Sequence, residues 1–145
     1  SFANQYLFVE VDVSELEAKI KISDYFDGAA PVRIVNDLDT SISYGQKNVT
    51  SWKSNHYVKV LPAKHSVYFC WIEPLSPREL AFKLGSQDEE EQSISLDFDQ
   101  YIKINDLCGC VAFFDGKQRV LIFTTDSSLP QHLLRVSFTI SFSML

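Results

Sequence analysis

Apolar and polar residues alternate with a period of two along nearly the whole chain, and this constrains the fold more than any single motif. Phe8 to Val13 alternates, as do Ala18 to Ile22, Ser41 to Tyr44, Tyr57 to Leu61, Ser66 to Ile72 and Leu80 to Leu84. Ser93-Ile94-Ser95-Leu96-Asp97-Phe98 is the clearest case; Tyr101 to Ile104, Val111 to Phe114, Arg119 to Thr124 and Leu134 to Phe142 follow. Successive strand side chains point to opposite faces, so each run can bury one face and wet the other. Roughly a dozen such runs at close spacing predict an all-β fold, an antiparallel β-sandwich. Turn signals separate them at Asp27-Gly28, Tyr44-Gly45, Asp115-Gly116, Leu129-Pro130 and the pair Pro74 and Pro77. Asp115-Gly116, between Phe113-Phe114 and Val120-Leu121, has the spacing of a hairpin. Ser14 to Ala18 is too short for a helix. Gln87 to Gln92 holds Asp88-Glu89-Glu90-Glu91, and such a block of carboxylates stays solvated as a loop.

Composition narrows the class. A chain of 145 residues is one domain by length and can bury a real core. Its 46% apolar content, with eleven Phe and six Tyr, is that of a globular domain and not of a disordered one. The net charge of −6, with no Lys/Arg cluster, argues against nucleic acid and against anionic membrane surfaces as partners. No apolar run has the length of a membrane span. Ser1 opens directly into strand-like sequence without an initiator Met or a signal peptide, so the chain is expected to be part of a longer one.

Catalytic chemistry finds no constellation. His56, His65 and His132 lack ligand spacing to one another or to cysteine, so no metal site is expected. Cys108-Gly109-Cys110 is a C-x-C and not the C-x-x-C of redox and zinc sites. With Cys70 it makes an odd count, expected to be three free thiols in a reducing compartment. Asn48-Val49-Thr50 fits a glycosylation sequon and reads as turn sequence. There is no glycine-rich phosphate loop and no nucleophile elbow, and no carboxylate pair stands out as acid and base. The expectation is a non-enzyme without a cofactor.

The segment from Pro31 to Pro74 carries the most specific information. Pro31-Val32-Arg33-Ile34-Val35-Asn36 is a short strand that ends on an asparagine. If Val32 and Ile34 face the core, Asn36 faces it with them. A buried amide left unsatisfied costs about 1–3 kcal/mol, so Asn36 is expected to tie the strand end to neighbouring backbone.

These residues resemble the opening of one repeat of the adaptor-binding region in the vacuolar-protein-sorting-thirteen family, the chorein or bridge-like lipid transfer proteins. In that family a repeat begins with Pro, alternating apolar residues and a hallmark Asn. A Gln, an apolar-Pro step and an aromatic strand ending near Trp and Pro come next. Here Pro31 and Asn36 are followed by Gln46, Leu61-Pro62 and Tyr68-Phe69-Cys70-Trp71-Ile72-Glu73-Pro74, in that order. The chain departs from the pattern at Ile72, where the family has an acidic residue directly after the Trp. Arg119 to Phe123 is similar to the strand that closes such a repeat, and Leu134 to Phe142 to the edge of a following segment. The resemblance implies one repeat of a multi-repeat array, with Pro31, Asn36, Trp71 and Pro74 as structural hallmarks. Residues 1–30 are then N-terminal strands or the tail of a preceding repeat, 31–130 the repeat core, and 131–145 a closing strand or the start of the next segment.

The resemblance also implies partners and place. Adaptor proteins would dock through extended, proline-containing peptides, and neighbouring repeats of the same chain would pack beside this one. The setting would be cytoplasmic and peripheral, at organelle membranes or membrane contact sites. The competing reading is a stand-alone sandwich that binds carbohydrate or lipid headgroups through aromatics such as Trp52, Tyr57 and Trp71. Trp52, between Ser51 and Lys53, suits an exposed sugar-binding face; Trp71, in an apolar strand, suits the core.

Overall fold

The alternating runs become strands. The computed structural model describes residues 7–14, 17–24, 30–85 and 89–134, and within them eleven strands form. They are β1 (Leu7–Val13), β2 (Ala18–Asp24), β3 (Val32–Asn36), β4 (Ile42–Gln46), β5 (Lys59–Leu61) and β6 (Ser66–Phe69). Then come β7 (Glu79–Leu84), β8 (Gln92–Ser95), β9 (Gln100–Lys103), β10 (Gly109–Phe114) and β11 (Arg119–Thr124). Nine of them build the sandwich: a five-stranded sheet in the order β6-β3-β11-β10-β9 and a four-stranded sheet in the order β5-β4-β7-β8. The chain crosses between the sheets at β3–β4, β5–β6, β6–β7 and β8–β9, and the sheet orders set β5 and β6 as edges on one side and β8 and β9 on the other. The β10–β11 hairpin turns at Asp115-Gly116, where the Asp115 carboxylate accepts the Lys117 and Gln118 amides at 2.8 and 2.9 Å.

The core lies between the sheets. Val32, Ile34, Phe69, Leu121 and Phe123 meet Ile42, Tyr44, Leu80, Phe82 and Ile94, all buried. Phe82 and Phe123 pack edge to face with ring centroids 5.0 Å apart. Every strand pair is antiparallel except one. β3 runs parallel to β11 in the middle of the five-stranded sheet, with Ile34 opposite Leu121. Period-two patterning fixes which face a residue takes, not which strand lies beside it, so this pair was not visible beforehand.

Three expectations change. Tyr44-Gly45 is not a turn: Gly45 lies inside β4. A Cβ there would collide with the side chain of Thr50, so the glycine serves a close approach. The chain turns later, with Asn48 at a φ of 68°. The loop over residues 47–58 then folds back across the outer face of the four-stranded sheet. Thr50 sits on Gly45, Lys83 Nζ lies 5.0 Å from the Trp52 ring, and Trp52 Nε1 donates to the Glu91 carboxylate. Tyr57 takes a φ of 58°, so β5 begins at Lys59 and not at Tyr57. Leu134 belongs to a helical turn that spans the described residues 129–134 and does not open a strand. Asp126 starts that turn by accepting Ser128 N at 2.9 Å and Ser128 Oγ at 2.6 Å. The remainder of the expected last strand, and the Asp27-Gly28 turn, lie outside the described residues.

β1 and β2 form a separate two-stranded sheet. Its register sets Val9 opposite Ile22, Val11 opposite Ile20 and Val13 opposite Ala18. Val9, Val11, Val13, Ile20 and Ile22 are all exposed. Glu10 stands opposite Lys21 and Asp12 opposite Lys19 in the alternate positions. Among the described residues no helix is long and apolar enough to cross a membrane.

Two outcomes are expected from this packing. Phe82→Ala should lower the unfolding free energy in urea by about 3–5 kcal/mol, the usual range for a buried Phe, while Phe98→Ala at the exposed surface stays within about 0.5 kcal/mol. Burial also pushes the Tyr44 hydroxyl up from 10.0 to about 12. The folded state therefore keeps its proton more tightly than the unfolded chain does, and stability is lost as pH rises from 10.0 to about 12. Urea midpoints measured across that window should fall for the wild type and fall less for Tyr44→Phe.

Candidate functional site

The polar residues that the sequence singles out sit at the two ends of the sandwich. Asn36 closes β3 and is 1% exposed. Its Nδ2 donates to the carbonyls of Thr40 at 2.9 Å, Leu61 at 3.2 Å and Pro62 at 3.0 Å. Its Oδ1 accepts the Leu38 amide at 3.0 Å. Two N–H hydrogens serve three carbonyls, so one is shared. The Asn36 backbone amide donates to His65 O at 2.9 Å, and that of Asp37 to Phe123 O at 2.9 Å. One residue thus ties the end of β3, the β3–β4 link and the β5–β6 link. From outside, Lys64 Nζ donates to Asp37 O at 2.8 Å.

Gln46 does the corresponding work at the other end. It is buried at the last position of β4. Its Oε1 accepts the amides of Ile72 and Glu73, both at 2.9 Å, and its Nε2 donates to Glu73 O at 2.9 Å. The segment after β6 is therefore held by one side chain just where it leaves the sheet. Trp71 packs into the core edge to face against Phe69, with centroids 5.2 Å apart and planes at 89°. Pro74 lies exposed in the following turn. Pro31 is half-buried before β3, and its carbonyl accepts the Arg119 amide at 3.2 Å. Because Val32 pairs with Phe69, Pro31 stands at the Trp71 end and Asn36 at the opposite end of the same strand. Pro31, Trp71 and Pro74 thus stand at the Gln46 end of the sandwich, and Asn36 at the other. Gln46 entered the sequence reading only through the resemblance; its place at the buried end of an alternating strand was the signal that could have marked it.

The remaining candidates are engaged in packing. Cys110 is in the core, and Cys108, just before β10, packs against the core from one side. Burial pushes both thiols up, and for Cys108 the bond to Asn105 opposes this. Raised thiols are poor nucleophiles and poor metal ligands. Cys70, Cys108 and Cys110 are all unbridged. Of the three aromatics proposed for sugar binding, Trp71 is core and Trp52 is held between Lys83 and Glu91, leaving Tyr57 exposed with its ring 4.1 Å from His56.

What the sandwich offers to a partner is its edges. Among the described residues, β5, β6, β8 and β9 each have a strand neighbour on one side only. Exposed apolar side chains collect along and beside β9: Phe98, Tyr101, Leu107 and Phe114. The sequence reading passed over these, because alternation does not say which strand ends a sheet.

No family model matches the chain. Among curated proteins it is 30% identical over 122 residues, 83% of its length, to mouse intermembrane lipid transfer protein VPS13A. It is 28% identical over 134 residues, 91% of its length, to mouse intermembrane lipid transfer protein VPS13C, and 30% identical over 138 residues to the human protein of that name. These alignments cover only 3–4% of the relatives' own length.

The two amide clamps generate a test. Asn36→Ser is too short to reach the carbonyls it leaves behind, and should lower stability by about 1–3 kcal/mol. Asn36→Asp should do at least as badly, since it sets a charge against carbonyl oxygens. Gln46→Ala should fall in the same range, and Thr40→Ser, in the exposed link, should be nearly silent. Thermal melts of the four variants check this; an Asn36→Ser protein that melts like wild type would overturn the assignment.

Proposed function

Because the chain belongs to the vacuolar-protein-sorting-thirteen family, we propose that it is a non-catalytic docking module, one that receives adaptor peptides and so positions a bridge-like lipid transfer protein at an organelle membrane. The observation that carries this reading is the division of labour among its polar groups. The buried amides of Asn36 and Gln46 are consumed in holding backbone, whereas among the described residues four strand edges keep one side without a strand neighbour. Such an edge takes an extended peptide as an added strand, its backbone supplying affinity and its side chains supplying choice. Peripheral association with membranes follows from the adaptor, and the neighbouring repeats of the same protein would complete the groove. The relatives' name supplies the lipid transfer part of the proposal.

The competing reading, a stand-alone sandwich for carbohydrate or lipid headgroups, loses support from the engagement of Trp52 and Trp71. Overlapping synthetic peptides from the cytosolic tails of organelle membrane proteins test the choice. Proline-containing peptides are expected to bind the chain and to weaken about tenfold when the proline is replaced by alanine, a typical loss for a side chain that anchors an interface. Binding to oligosaccharides or to vesicles carrying headgroups, with no peptide retained, would hand the assignment to the second reading.

A further inference from the structure

The four edges are not equivalent. β5 has three residues, and it and β6 flank the links pinned by Asn36 and Gln46. β8 follows Glu89, Glu90 and Glu91, all exposed, and charge beside an edge discourages pairing. β9 carries one charged side chain, Lys103, which is engaged with Asp106 at 3.1 Å, and what sets this edge apart is the exposed apolar surface beside it, Phe98, Tyr101 and Leu107. Ile104 N donates to Cys108 O at 3.0 Å, and Ile102 stands opposite Cys110. In an antiparallel ladder hydrogen-bonded pairs alternate with non-bonded ones. Tyr101 and Lys103, opposite Val111 and Gly109, therefore turn their N–H and C=O groups away from β10. That row offers two donors and two acceptors, spaced roughly 7 Å apart along the strand.

A pocket of about 370 Å³ opens where this row ends. Tyr101, Lys103, Leu107, Gly109, Thr124 and Asp126 line it. The Tyr101 ring lies across Gly109 so closely that any Cβ at 109 would collide with it. The glycine thus lets an aromatic face lean over the end of β9. Leu107, 80% exposed, forms the rim. Resting on the docking reading above, we infer that β9 is the receiving edge. An extended peptide pairs its backbone with Tyr101 and Lys103, and a proline at the end of the paired stretch enters the pocket between the Tyr101 ring and Leu107. The row of unpaired backbone groups requires an extended chain as occupant. A proline cannot donate to the ladder, so it belongs where pairing stops, and its flat apolar ring suits an aromatic wall.

The test uses the full chain and a panel of short synthetic peptides that alternate apolar and polar residues, each made with a central proline and again with alanine in its place. Hydrogen exchange of the wild type should slow at the Tyr101 and Lys103 amides when a proline peptide binds. Lys103→Pro removes an outward donor that β10 does not use, and should weaken binding about tenfold or more with an unchanged melting temperature. Leu107→Ser should weaken the proline peptides and leave their alanine versions unaffected. Val60→Ser, on the β5 edge, should change nothing. Binding that survives Lys103→Pro, with protection appearing at β5 or β6 instead, would overturn the β9 assignment while keeping the docking function. A chain that binds no peptide of the panel would sink both.

Discussion

The carboxamide of Asn36 sits where the five-stranded sheet hands the chain on to the four-stranded one. Three carbonyls and one amide from two stretches of chain, residues 38–40 and 61–62, converge on it. Two sheets that touch only through apolar side chains can slide past one another at small cost, because such contacts are non-directional. A buried amide with four fixed partners cannot slide. In low dielectric its bonds are strong when made and expensive when broken, so it selects one relative placement of the sheets. Gln46 repeats the device at the far end of the sandwich, on the segment that carries Trp71.

Both clamps act on the side of the molecule where β5 and β6 lie. The β8–β9 side is held differently, by Arg119, which pairs with Asp99 and donates to Asp97 O at 2.9 Å. This asymmetry gives one side links fixed by buried amides and the other links fixed by half-exposed charge. A rigid side supports a binding side in the way a scaffold supports a loop. The charge-held side also carries the exposed apolar residues Phe98, Tyr101, Leu107 and Phe114.

Most strands were legible because alternation is a local property, whereas β10 and β11, in the middle of the five-stranded sheet, are nearly unbroken apolar runs bounded by turn residues. The inward direction of Asn36 could be read from Val32 and Ile34; the identity of its partners could not, since Leu61 and Pro62 are 25 and 26 residues away. Gly45 misled because a glycine after a tyrosine looks like a turn, whereas Thr50 needed the space above it. The helical turn at residues 129–134 had a signal that was passed over: Asp126 as a cap and Pro130 in the first turn, both favourable for a helix start. Trp52 looked exposed between polar neighbours, but Lys83 of β7 and Glu91, just before β8, approach it. Sheet order, and with it the choice of edges, is a long-range property that no window of sequence contains.

The parallel pairing of β3 with β11 has a consequence for how such a domain comes into being. Ile34 and Leu121 stand side by side in the sheet yet are far apart along the chain. A ribosome releases β3 long before it releases β11, and until then the middle of the five-stranded sheet is missing. β3 and β6 can pair early, but the edge of β3 that β11 will cover stays open until then. Pairings this distant in sequence form slowly, and the waiting intermediate exposes strand edges. In a protein that carries many such units in tandem, each would spend its synthesis half-built beside its finished neighbour, so the hazard to be managed is pairing with the wrong neighbour.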